Sequence, residues 1–207
     1  MRQRNKYRYC IGSATIRFIA ACACLLAIAA APAFVSRACA SSVSEADASE
    51  LEPGEFLWDP SRAPDGPMTV IVNLRNQRAY VYRDGVRIGI STISSGKRGH
   101  ETPTGTFAVL EKQRFHRSNK YDDAPMPYMQ RLTWGGLALH GGHVRAHPAS
   151  HGCVRLPPDF AAALFRESTL GMKVIITDQE PGDEDTLLSS GENARTESPC
   201  CEGDRSP

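Results

Sequence analysis

The chain has 207 residues, 41% of them hydrophobic and 7% aromatic, enough for one globular domain with a real core and with residues left for tails. A formal net charge of +1 excludes a uniformly basic or acidic protein but hides an uneven distribution. Residues 1–40 carry six basic residues and no acids, residues 67–177 carry 15 basic against 7 acidic, and the stretches on either side of that block are acidic.

Residues 1–40 read as a targeting segment. A basic stretch ends at Arg17, an apolar run follows from Phe18 to Phe34, and Ala38-Cys39-Ala40 stands before the polar Ser41-Ser42. This is the order of a secretory signal, so the mature protein is expected to be exported, to the periplasm or cell envelope. The competing reading is an uncleaved anchor, and a membrane is a partner only in that case. The apolar run is at the short end for a span of about 20 residues. Residues 41–66 hold seven acids against the single base Arg62 and read as an acidic linker.

The block 67–177 reads as the folded domain. Met68 to Leu74 is a β-branched run, Arg78 to Tyr82 alternates, and Asp84-Gly85 is a hairpin turn before Val86 to Ile93. A Gly/Ser/Lys loop spans Ser94 to Gly105. Thr106 to Leu110 is a further strand, and residues 112–127 form a long polar loop. Strands are expected at Tyr128 to Thr133 and Leu137 to His140, around Gly135-Gly136, and a short one at Cys153 to Leu156. Pro157-Pro158-Asp159 starts a helix that runs through Phe160 to Glu167, Gly171 ends the segment, and Met172 to Thr177 closes it as a strand. Short strands with turns between them predict a mainly β sandwich or barrel with one short helix. Residues 178–207 hold nine acids and two bases and read as a disordered acidic tail.

Four of the seven cysteines fall in residues 1–40, and Cys200-Cys201 lie in the tail. Cys153 is therefore alone in the domain. An exported protein meets an oxidising compartment where spare thiols pair, so a lone thiol there points to a reactive group. The bland alternative is a small buried core residue.

His140, His143, His147 and His151 crowd the segment before Cys153. Spacings of three and four would gather metal ligands on a helix, but Gly141-Gly142, Pro148 and Gly152 cost about 1 kcal/mol per glycine and about 3 for proline there. The other reading is a Cys/His nucleophilic site. A thiol with a pKa of about 8.5 needs a base to become the thiolate. Gly152 before Cys153 allows the unusual backbone that an exposed nucleophile with oxyanion donors requires. Spacing alone leaves both readings open. The remaining histidines, His100 and His116, lie in polar loops and read as surface residues, while Tyr128 and Trp134 fit either the core or a donor groove. The basic clusters lack interleaved aromatics, so no nucleic-acid partner is expected.

Leu139-His140-Gly141-Gly142 followed by Ser150-His151-Gly152-Cys153-Val154-Arg155-Leu156 resembles the signature of the L,D-transpeptidases (the YkuD-type catalytic domain). Ser95-Gly96-Lys97, Thr102 to Phe107 and Gln77 to Tyr82 add to the resemblance, which spans residues 67–177. The gap from His140 to Cys153 is shorter than in many members. The resemblance implies that Cys153 is the nucleophile and His140 the general base. Gly141 marks where a main-chain or small side-chain oxygen orients the imidazole. His151 and Ser150 shape the pocket, Gly152 and Cys153 N–H groups form the oxyanion hole, and Arg155 holds a substrate carboxylate or makes a structural salt bridge. No metal or other cofactor is implied. The implied substrates are peptidoglycan stem peptides, with a second stem, a protein lysine or water as acceptor. A catalytically silent peptidoglycan-binding module and a zinc hydrolase are the alternatives from other classes.

Overall fold

The computed structural model describes residues 45–120, 123–180 and 188. The targeting segment 1–40 and most of the acidic tail lie outside the described residues. A six-residue helix α1 (Glu45–Glu50) leads into β1 (Phe56–Trp58) and a short 3-10 turn, Pro60–Arg62. Then come β2 (Met68–Asn73), β3 (Arg78–Arg83), β4 (Val86–Thr92), β5 (Gly105–Ala108) and β6 (Glu111–Gln113). The chain continues through β7 (Met129–Arg131), β8 (Ala138–Gly141), β9 (Val154–Leu156), α2 (Pro158–Glu167) and β10 (Lys173–Thr177). The mainly β fold with one short domain helix is the one expected.

Two sheets form. One has the strand order β1-β4-β3-β2-β10-β5 and the other β6-β7-β8-β9. Asp84 (φ 49°) and Gly85 (φ 74°) both adopt positive φ, as the tight β3–β4 hairpin requires. Two pairings are parallel, β10 with β2 and β8 with β9. Strand propensity is silent on this. Parallel neighbours cannot be joined by a tight hairpin: β8 reaches β9 through the long loop after Gly141, while α2 carries the chain from β9 in the smaller sheet to β10 in the larger.

The core lies between the sheets. Val70, Val72, Val81, Ile88, Val174 and Ile176 from the larger sheet meet Leu139, Val154 and Leu156 from the smaller one, with Phe160 and Leu164 of α2 closing the end. The intervening residues Ile71, Tyr80, Tyr82, Ile90 and Ile175 point the other way and form a second cluster with Ala48 and Leu51. Period-two alternation thus buries both faces of the larger sheet. The segment expected as an acidic linker therefore contributes structure in its described part. Ala48 and Leu51 cover the outer face, and Phe56 to Trp58 pair along the β4 edge. Their apolar side chains, packed against buried core residues, outweigh the acidic composition around them.

Helix α2 begins on Pro158, where a missing N–H costs nothing, with Asp159 in its positive first turn. Lys112 Nζ donates to the carbonyls of Phe165 and Ser168 at the other end. The helix packs on the core face of β8, close enough that a Cβ on Gly141 would sit 3.4 Å from that of Ala161. Leu139, Val154 and Leu156 turn toward this core, so Ala138, His140 and Arg155 turn to the opposite face of the smaller sheet.

Candidate active site

That opposite face is where the sequence-predicted residues meet. The parallel register sets His140 beside Arg155. Cys153, just before β9, packs against Ala138, Met126 and Met129 on the same side. Thiol, imidazole and guanidinium therefore share one face.

The loop carrying Cys153 is tied down residue by residue. Ser94 and Arg155 exchange both main-chain hydrogen bonds at 3.0 Å. Ala149 and Ser150 N–H groups both donate to Ser95 O at 2.9 Å, and Lys97 N–H donates to Ser150 O at 3.0 Å. Gly152 sits at φ +116°, a conformation L side chains rarely adopt, and so turns the chain sharply into Cys153. The buried Ser150 hydroxyl closes this turn by accepting the Gly152 N–H at 3.1 Å and donating to the Cys153 carbonyl. Thr102 Oγ1 braces the other side, accepting from Gly96 N–H and donating to Gly152 O, both at 2.8 Å. The Gly152 N–H, one of the two expected oxyanion donors, is thus held by Ser150 Oγ in this conformation.

His140 is buried, with 7% exposure. Its Nδ1 lies 2.9 Å from Gly141 O, and a carbonyl only accepts, so Nδ1 carries the proton and Nε2 keeps the lone pair of a base. Burial pushes the imidazole down to about 4, the Gly141 bond opposes this, and the positive charges of Arg155 and His116 add to it. Burial also pushes the Cys153 thiol up, against the Ala138 main-chain N–H and the charges of Arg131, Arg155 and Lys120, which favour the thiolate. The thiol donates to Gly136 O at 3.2 Å. A raised thiol beside a lowered imidazole makes the resting pair neutral. Proton transfer from the thiol to the imidazole is therefore uphill in the resting protein.

The other predicted residues fall as follows. His151 is exposed, its ring edge-on to that of His100 with centroids 5.0 Å apart. Among the described residues Arg155 forms no ion pair, which leaves its guanidinium for an incoming anion. His143 and His147 are exposed on the loop after β8. Among the described residues, no group of three His, Cys, Asp or Glu side chains is placed to hold a metal ion. Tyr128 packs against the core with its ring 5.8 Å from Phe165, whereas Trp134 is 76% exposed on the β7–β8 turn.

Several contributors were not apparent from sequence. Within the stretch 112–127, expected as a loop, the described residues 114–120 and 123–127 form an arm extending the β6–β7 hairpin, with Tyr128 N–H bonded to Arg114 O, Met126 N–H to His116 O and Ser118 N–H to Ala124 O. The arm carries Met126 against Cys153 and places His116, expected at the surface and here half-buried, where its charge disfavours protonation of His140. Lys120 Nζ donates to Gly135 O at 2.7 Å, next to the carbonyl that receives the thiol. An alternation of backbone hydrogen bonds at residues 114, 116 and 118 has no residue-type signature, because each donor and acceptor is main chain.

A family model, the L,D-transpeptidase catalytic domain (YkuD), matches residues 67–176. The chain belongs to this family. It is 30% identical over 108 residues to L,D-transpeptidase 1 of Mycobacterium tuberculosis, a match covering 44% of this chain and 43% of that one. YqjB of Bacillus subtilis, which bears the provisional name L,D-transpeptidase, is 26% identical over 148 residues, covering 64% of this chain and 84% of YqjB. Among solved structures, an L,D-transpeptidase from Stackebrandtia nassauensis superposes with a TM-score of 0.51 at 31% identity, over 58% of this chain and 59% of that one. One from Xylanimonas cellulosilytica gives 0.50 at 27%, over 55% and 61%. The chain thus spans less than half of the Mycobacterium tuberculosis relative and about three fifths of these solved chains.

Proposed function

We propose that this protein is an exported L,D-transpeptidase acting on peptidoglycan stem peptides through a thioester at Cys153. The observation that carries the proposal is the shared face of β8 and β9. It sets a thiol, an imidazole with its Nδ1 proton committed to Gly141 O, and an arginine that has no ion-pair partner among the described residues on one side of the smaller sheet. Basic export and apolar signals in residues 1–40 support the location.

The chemistry runs as acyl transfer. Donor binding brings a carbonyl to the sulfur, and the thiol proton passes to His140 Nε2 as the C–S bond forms. The tetrahedral oxyanion takes the Cys153 main-chain N–H, and the Gly152 N–H once it turns from Ser150 Oγ. Collapse breaks the peptide bond, and the terminal D-alanine amine leaves with the proton from His140. The thioester is then opened by an amine that gives its own proton to His140, which returns it to the sulfur. A diamino acid of a second stem yields a crosslink, a protein lysine an attached protein, and water a trimmed stem. Arg155 holds a donor carboxylate.

The test is intact-mass spectrometry after incubation with a carbapenem or a tetrapeptide donor. Wild-type protein gains one acyl mass, while Cys153→Ala and His140→Ala do not. Undiminished acylation of Cys153→Ala sinks the proposal.

A further inference from the structure

Behind the catalytic loop lies a cleft of about 280 Å³ that the reaction above does not use. It is at the small end of the range of ligand pockets, about 300–1,000 Å³. Three arginines line it, Arg75, Arg78 and Arg145, interspersed with the half-buried Leu51 and the exposed Pro53. No carboxylate is among its lining residues. Arg78 is fixed by the carbonyls of Ala48 and Leu51, both at 2.9 Å, and Arg75 reaches Glu180. Arg145 is exposed, and among the described residues its guanidinium has neither a hydrogen bond nor an ion pair.

The cleft is coupled to the site by its own lining. Arg145 belongs to the loop that runs from His140 to Ser150. Gln77, another lining residue, stands at φ 54°, an uncommon conformation for a side chain of its size. Its amide accepts from Ser95 N–H at 3.0 Å and donates to Ser95 Oγ at 2.8 Å. Ser95 O in turn holds the Ala149 and Ser150 N–H groups, and Ser150 holds the Cys153 turn. Backbone strain held by such a network belongs to sites where position matters.

We propose that this cleft is a second binding site, for a carboxylate-bearing peptide, with Arg145 as its anchor. Arginine clusters suit carboxylate and phosphate alike. The apolar walls favour the peptide, since a bare inorganic anion gains nothing from Leu51 and Pro53. The identity of that peptide, a stem lacking its terminal D-alanine, rests on the transpeptidase reading. A stem held there lies along the loop that joins base and nucleophile.

The experiment uses the full chain with Cys153 blocked by carbapenem, or by iodoacetamide if the carbapenem does not acylate. Failure of acylation counts against the transpeptidase reading alone. Calorimetric titration with the stem tripeptide, which has no D-alanine to release, then reads the second site. The blocked wild-type protein is expected to bind at one saturable site. Arg145→Glu weakens that binding at least tenfold while reacting normally at Cys153, and Arg145→Lys retains most of it. The proposal is overturned by no saturable binding to the blocked wild type or by equal binding to Arg145→Glu. Equal displacement by inorganic phosphate at matched ionic strength also overturns it.

Discussion

His140 and Arg155 stand side by side in the parallel register of β8 and β9, and the arginine's charge presses on an imidazole already disfavoured by burial. The folded imidazole titrates at about 4, against about 6.5 in an unfolded chain. Between those pH values the unfolded chain binds a proton that the folded chain refuses. Stability therefore falls as pH drops from 6.5 to 4, by about 3 kcal/mol. Urea unfolding at pH 7 and pH 4.5 measures it. His140→Gln should show a shallower pH dependence, and an unchanged slope would assign the loss to other groups.

Arg155→Gln separates binding from chemistry. The variant loses the proposed carboxylate partner, so KM for a tetrapeptide donor should rise about tenfold, the equivalent of about 1.4 kcal/mol. It also loses a charge that favours the thiolate and one that lowers His140. The thiol should titrate higher and the imidazole higher. A kcat loss with unchanged KM would make Arg155 a group that tunes the thiol rather than one that holds substrate.

Ser150 is 1% exposed and joins Gly152 N–H to the Cys153 carbonyl. Ser150→Ala leaves both groups without that partner. An unsatisfied buried polar group costs about 1–3 kcal/mol, so the melting temperature should drop measurably. Acylation should slow, because the turn that aims the sulfur is no longer closed. Ser150→Thr, which keeps the hydroxyl, should recover most of the rate. Full activity in the alanine variant would mean that Thr102 and the main-chain bonds to Ser95 and Lys97 hold this turn without the Ser150 hydroxyl.

Gly96 and Gly99 separate steric from conformational cost in one loop. A Cβ on Gly96 would lie 1.9 Å from His100 O, a contact no side chain can relieve, whereas nothing lies within 4 Å of a Cβ on Gly99 (φ +79°). Gly99→Ala should cost about 1 kcal/mol, the strain of a positive φ. Gly96→Ala should cost about 3 kcal/mol or more and should also slow acylation, since Lys97 and Thr102 hold the catalytic turn. Chemical denaturation with a matched acylation assay tests the contrast, and equal losses would refute it.

What was legible in the sequence was what residue type alone determines. The β-branched run from Met68, the Asp84-Gly85 turn and the Pro158 helix start each carry their own local physics. Ser150 to Cys153 was legible because it holds the lone thiol of the domain and because the segment resembles the L,D-transpeptidase signature; residue types alone left the metal reading open. The parallel pairings were not, since a strand's partner is set by packing at long range. Strand β1 was hidden by three residues of apolar sequence in acidic surroundings. His116 and Lys120 reach the site because a main-chain-bonded arm folds over it, and the Gly136 carbonyl because of the β7–β8 turn; main-chain bonds leave no mark in side-chain identity.

That arm yields the last prediction. Met126, 8% exposed, packs with Met129 and Ala138 against Cys153, and burial is the leading cause of the raised thiol. Met126→Ala trims this roof. Water then reaches the sulfur, the burial penalty on the thiolate shrinks, and the thiol titrates lower. Iodoacetamide alkylation at pH 7.5 should therefore run several-fold faster than in wild type, with the rate profile displaced to lower pH. The truncation costs about 2 kcal/mol, at the low end for a buried methionine, since the site is near the surface. Transfer to a peptide acceptor should fall while alkylation rises, because a wetter thioester loses more product to water. Parallel changes in the two rates would mean that the arm gates entry to the thiol without excluding water from the intermediate.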